Sequence, residues 1–164
     1  CGFPIGKVML ASNQNQTVPD FLSTGEYTPR PSVATIANAM DVGAPSNLER
    51  LQDLFANPAS KVRADWVDDS TIRQTIRSIF DHYGEIVCPH TACGLAVRER
   101  LREVDRDDDW IVAATAHAAK FAEVVEPLIG QTIAIPAALQ ELLDRPAHAS
   151  PLTPTLDALT KALG

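Results

Sequence analysis

A chain of 164 residues has the length of one domain, enough to bury about two-thirds of its unfolded surface. Apolar residues make up 45% and aromatics only 5%, so the expectation is a soluble globular protein with an aliphatic core. The formal charge of −7 argues against wrapping nucleic acid or an anionic membrane surface, while an anionic substrate stays open because the field of a pocket is local. The 3 cysteines form no disulfide framework, which favours a reducing, cytoplasmic setting. No stretch approaches the roughly 20 apolar residues that cross a bilayer, and there is no signal-peptide pattern.

In chain order, Cys1-Gly2 reads as the end of a helix whose body lies upstream, so the chain is expected to be a piece of a longer protein. Val8 to Ala11 is a short apolar strand, followed by the amide-rich Ser12-Asn13-Gln14-Asn15-Gln16. That run is either a solvated loop or a hydrogen-bonding ligand loop. Thr17 to Ser23 forms a helix with Val18, Phe21 and Leu22 inward, terminated by Gly25. Tyr27 to Pro31 is a connector stiffened by two prolines, and Ser32 to Ile36 has β character. Ser46-Asn47-Leu48-Glu49 is a capping box opening a helix with Leu48, Leu51, Leu54 and Phe55 inward, stopped by Asn57-Pro58.

Lys61 to Asp69 reads as charged and exposed. Ile72, Ile76, Ile79, Phe80 and Tyr83 share a helix face that Gly84 closes. Glu85 to Cys88 is expected as a strand, and a helix from about Thr91 to Val104 follows, with Val97, Leu101 and Val104 inward. After the acidic Asp105 to Asp109 comes Trp110 to Ala114, an unbroken apolar run suited to a strand buried on both faces. Phe121, Val124, Val125, Leu128 and Ile129 then mark a helix ending at Gly130. A helix over Ala137 to Leu143, a Pro/Ser-rich hinge from Pro146 to Pro154 and a final helix, Leu156 to Leu163, complete the chain.

Strands alternating with helices predict an α/β fold, three-layered, with a mainly parallel sheet and flanking helices. The predicted division is 1–146 as one domain and 147–164 as hinge and terminal helix. The strand ends bring Asn13 and Asn15, His90 and Thr91, and Thr115 and His117 towards one crevice, the usual ligand edge of open α/β sheets. Thr115 is either a helix N-cap or a hydroxyl that bonds a ligand. Arg50 suits an exposed ion pair with Glu49 or an anion site. Lys120 is either a surface cation or a nucleophile. The spacing of Cys88, His90 and Cys93 is not a zinc pattern, so no metal is expected.

Several blocks together resemble bacterial threonine synthase. They are Val8-Met9-Leu10-Ala11-Ser12-Asn13-Gln14-Asn15, Thr24 to Pro31, Ala39-Met40-Asp41-Val42 with Ser46 to Arg50, Pro89-His90-Thr91-Ala92, and Thr115 to Phe121. The order of the blocks matches from about Lys7 to Pro146. The resemblance implies the C-terminal portion of a fold-type II, tryptophan-synthase-β-like enzyme that uses pyridoxal phosphate to convert O-phosphohomoserine and water to threonine and phosphate. It implies that the cofactor-bearing lysine and the glycine-rich phosphate loop lie upstream, in a missing N-terminal part of the same enzyme. Neither Lys7 nor Lys120 matches that lysine, so no catalytic residue is assigned and the isolated chain is expected to be inactive. Thr115 matches the threonine that bonds the cofactor's pyridine nitrogen; Asn13, Asn15 and Arg50 match motif positions and are assigned to substrate binding. Departures are Gln16 for an acidic residue, Ala118 for proline and Cys88 for Asp. The alternatives are a non-catalytic α/β binding or regulatory module, or another fold-type II pyridoxal-phosphate lyase.

Overall fold

A computed structural model describes residues 6–54, 62–101 and 109–164. The expected strand after Lys7 forms as β1 (Val8–Ser12) and leads through the amide turn into α1 (Thr17–Thr24). Gly25 ends α1 at φ 79°, the left-handed conformation that glycine adopts without steric cost, as its place after the apolar stripe implied. β1 pairs in parallel with β2 (Val62–Trp66), in the register Val8 to Val62 through Ser12 to Trp66. β2 replaces the exposed charged segment expected there. Its Arg63 and Asp65 alternate with Val62, Ala64 and Trp66, the period-two pattern of a half-covered strand.

Three other expected β segments are not strands. Residues 32–36 form an irregular loop, and the residues leading to Cys88 run into α4 (Pro89–Glu99). Cys88 is the N-cap of α4 and Pro89 its first residue, where a missing N–H costs nothing. Trp110 to Ala114 has no strand partner among the described residues, and Ile111 is 97% exposed. The fold is therefore α/β with a sheet of two parallel strands among the described residues.

Helix α3 (Asp69–Tyr83) packs against α4 and against α5 (Ala122–Ile129). Asp68 caps α3 by accepting the Thr71 N–H at 2.7 Å. Ile72 and Ile76 are wholly buried with Val67, Ala92, Cys93 and Val125, whereas Tyr83 at the helix end is exposed. Two short 3-10 turns, Asn38–Met40 and Ala118–Phe121, and helix α2 (Leu48–Leu54), which buries Leu48, are also formed. Phe55, Asn57, Pro58 and Val104, and most of the acidic approach, lie outside the described residues, as do Cys1 and Gly2.

The chain divides into two compact units, Cys1–Ile133 and Ala134–Gly164. The second holds α6 (Ala137–Leu143), the proline-rich stretch and α7 (Leu156–Leu163), which Thr155 caps through its hydroxyl. Among the described residues no helix is long and apolar enough to cross a membrane.

Candidate functional site

A cavity of about 540 Å³ opens in the first unit. β1 contributes Met9, Leu10 and Ala11, and the 3-10 turn contributes Ala39 and Met40. α4 contributes His90, Gly94, Val97 and Arg98, and the extended segment contributes Trp110, Ile111, Val112, Ala113 and Thr115. The segment lies close on α4 because Gly94 carries no side chain: a Cβ there would stand 2.8 Å from Val112 Cγ1. Thr115 is exposed within this lining. It is not the helix cap, since His117 is the residue whose Nδ1 accepts the Ala119 N–H, at 3.2 Å. The Thr115 hydroxyl is thereby left to the cavity.

Behind the turn lies a knot of polar groups. Asn13 is fully buried; its amide nitrogen donates to Thr35 Oγ1 and Asp41 Oδ1, each at 2.7 Å, and to the Ala37 carbonyl at 3.2 Å. Its oxygen accepts both the backbone and the side-chain N–H of Asn15 at 2.9 Å. Asn15 in turn bonds the backbone of Val33 through both ends of its amide. Asp41 also accepts the Thr35 hydroxyl and the Thr35 N–H. Each amide thus uses its donors and its acceptor within the chain, which the burial demands. The pair holds the 33–41 loop against the end of β1 and does not line the cavity.

His90 faces the cavity with its ring 4.8 Å from that of Phe121. Its Nε2 accepts the Ala39 N–H at 3.0 Å, and burial lowers its pKa from the usual 6.5, against the opposing pull of Asp41. Cys93, buried on the same helix, has its thiol pushed up to about 12, first by burial and then by Asp69. Among the described residues no group of three or more metal-ligating side chains comes together.

Residues 91–163 match the family described as "Threonine synthase, C-terminal". Threonine synthase of Escherichia coli (strain K12) is 34% identical over 99% of this chain and 38% of its own length. That of Serratia marcescens is 35% identical over 99% of this chain and 38% of its own length. The crystal structure of the Escherichia coli protein matches with a TM-score of 0.84 at 35% identity, covering 99% of this chain and 38% of that one. The chain is similar to the C-terminal part of these threonine synthases. A structure described as PLP-bound threonine synthase from Brucella melitensis matches with a TM-score of 0.78 at 27% identity, over 99% of this chain and 40% of that one. The chain thus spans well under half the length of the threonine synthases it matches.

In this chain, most of the blocks that carried the resemblance converge. The first supplies β1 and the polar knot, the third supplies the Ala39–Met40 wall, and the last two supply His90 and Thr115. The block ending at Pro31 braces the arrangement from outside: Gly43 lies so close to the Arg30 carbonyl that no Cβ fits, and Arg30 N–H bonds the Gly43 carbonyl at 3.0 Å. Arg50 is exposed on α2, apart from the cavity lining, and neither Lys7 nor Lys120 lines the cavity. Sequence reasoning missed the roles of Asp41, Met40 and Arg98. A carboxylate directly after a short apolar turn was the available signal for Asp41.

Proposed function

We propose that this chain works as the C-terminal part of a cytoplasmic, pyridoxal-phosphate-dependent threonine synthase, acting on O-phosphohomoserine and water to give threonine and phosphate. The observation that carries the reading is the fold match to the Escherichia coli enzyme over 99% of this chain, with a hydroxyl at position 115 in the cavity wall. The donor set fits the cofactor's ring. Met9, Met40 and Val97 offer apolar walls for a flat heterocycle, and the Thr115 hydroxyl offers a hydrogen bond to a ring nitrogen. When bound, pyridoxal phosphate supplies the electron sink that lets bonds at the substrate's amino-acid carbons break.

This chain's residues bind and orient. The Thr115 hydroxyl, unlike a carboxylate, carries no charge to hold a proton on the ring nitrogen, so electron withdrawal is moderated. Asn13 and Asn15 act at one remove, fixing the loop that ends in Ala39 and Met40. Arg50, exposed on α2 outside the cavity lining, stays a substrate-binding candidate of this reading. Neither Lys7 nor Lys120 lines the cavity, so this reading assigns the cofactor-bearing amine to the part of the relatives that this chain does not match and expects no turnover from the isolated chain.

A chimera tests the assignment. In the Escherichia coli enzyme, the matched 38% is replaced by this chain, and phosphate release from O-phosphohomoserine is measured. Turnover in the chimera, none in the isolated chain, and at least about a tenfold loss in the Thr115→Ala chimera are expected. A chimera that folds and holds pyridoxal phosphate yet releases no phosphate overturns the reading.

A further inference from the structure

We propose that His90 is the positioning residue that fixes the Ala39–Met40 wall of the cavity, as the neutral ring with its proton on Nδ1, and that protonating it releases that wall. The inference stands on the cavity's geometry and does not depend on which ligand occupies it.

The Ala39 N–H donates to Nε2 at 3.0 Å, so Nε2 is the unprotonated nitrogen of a neutral imidazole and the ring proton sits on Nδ1. Nδ1 is itself buried and has no hydrogen-bond partner, so the tautomer is set by the Ala39 bond alone. The rest of the wall is held by the packing of Met40 against the core and by bonds within the turn. The turn is three residues long, closed by Met40 N–H to Ala37, Asp41 N–H to Asn38 and Val42 N–H to Met40, and the knot grips it at its two ends, through Ala37 and Asp41. Across 51 residues of chain, His90 is the side chain that ties the middle of the turn to α4. Phe121, at 4.8 Å, keeps the ring in place.

A second proton would put an N–H at Nε2 opposite the Ala39 N–H. The bond would be replaced by a donor facing a donor, and the turn would lose its tie. Burial disfavours the charged ring and keeps the bond intact at neutral pH, while Asp41 just beyond the turn pulls the other way. Other ionisable groups on the elements around the ring include Cys93, Arg98 and Glu99 on α4, His117 and Lys120 on the turn carrying Phe121, and Asp69 at the start of α3.

The test uses the full chain, labelled for NMR. At about pH 7.5 the His90 ring nitrogens should show the Nδ1–H tautomer, and Ala39 amide exchange, corrected for its intrinsic rate, should be slow. Between about pH 7 and pH 5 that protection should fall by about tenfold or more, with a midpoint below the ordinary histidine value. His90→Gln places an uncharged acceptor near the Nε2 position, so Ala39 should stay protected across the whole range. His90→Ala should lose protection at every pH. An Nε2–H tautomer in the wild-type chain, or the same acid loss of Ala39 protection in His90→Gln, overturns the proposal. Both measurements remain decisive if His90→Ala fails to fold.

Discussion

The Asn13 amide stands 2.7 Å from the Asp41 carboxylate, tying the end of β1 to a loop 28 residues further along. Asp41 is the acceptor on which the rest of the knot converges, taking bonds from Asn13, Asn15, the Thr35 hydroxyl and the Thr35 N–H. Asp41→Ala would remove one of the three acceptors of the buried Asn13 amide and leave the Thr35 hydroxyl and the Thr35 N–H without theirs. Because unmade bonds of buried groups to a charged partner are costly, a loss of about 2–4 kcal/mol is expected in urea unfolding. Asp41→Asn, which keeps one carbonyl oxygen, should lose less. A change within about 0.5 kcal/mol for Asp41→Ala would show that the knot does not hold the loop.

Asp68 carries a pH dependence. Its carboxylate accepts bonds from Thr71 and Ser70 at the start of α3, and these hold its pKa at about 2 against the usual 3.8. The unfolded chain takes up this proton first on acidification. The stabilisation is therefore complete above about pH 4 and is lost as the pH falls towards 2. The group is exposed to solvent, so the effect is that of a cap, about 0.5–2 kcal/mol for Asp68→Ala at neutral pH. Asp68→Asn should keep most of that cap and flatten the stability profile between pH 4 and 2, followed by thermal unfolding across that range.

The thiols offer a chemical probe. Burial raises Cys93 to about 12, so the thiolate is scarce near neutrality, and the Sγ of Cys88 already takes part in capping α4 at Thr91. Alkylation at about pH 8 should reach Cys93 at least about 100-fold faster in denaturant than in the native chain. Peptide mapping assigns the label to each cysteine. Equal rates in both states would contradict the buried position.

Two isoleucines separate core from surface. Ile72 is wholly buried, whereas Ile111 is 97% exposed on the extended segment. Ile72→Ala should cost about 2–5 kcal/mol and Ile111→Ala less than about 0.5 kcal/mol, measured by urea unfolding of the full chain. A large loss at Ile111 would mean the segment is packed in solution.

Helix faces were legible because their signals are local. The stripes on α3 and α5 and the glycines at 25, 84 and 130 lie within one element and act within it. Strands were less legible, since an apolar run carries no information about its partner. Trp110 to Ala114 has the composition of a buried strand and no strand partner among the described residues, while Val62 to Trp66, with charges on alternate residues, is paired. Thr115 was singled out as a polar residue ending an apolar run, and it lines the cavity. The Asn13 and Asn15 amides were equally visible, but only three-dimensional contact with Val33, Thr35 and Asp41 reveals that their bonds are already used.

Gly94 and Val112 couple α4 to the segment that carries Thr115. Glycine inside a helix is unfavourable by about 1 kcal/mol relative to alanine, so propensity alone favours Gly94→Ala. The Cβ would, however, lie 2.8 Å from Val112 Cγ1, closer than real contacts allow, and the segment would have to shift. Overpacking of this kind costs about 1–3 kcal/mol, which outweighs the helical gain. Gly94→Ala should therefore destabilise the chain modestly and displace Thr115, seen as chemical-shift changes along residues 110–117. With Val112→Ala the obstructing methyl is gone, and the same Gly94→Ala change should become neutral or stabilising. The double-mutant cycle should give a coupling of about 1 kcal/mol or more. If Gly94→Ala has the same effect in both backgrounds, Val112 does not set the distance between helix and segment, and glycine at 94 needs another reason.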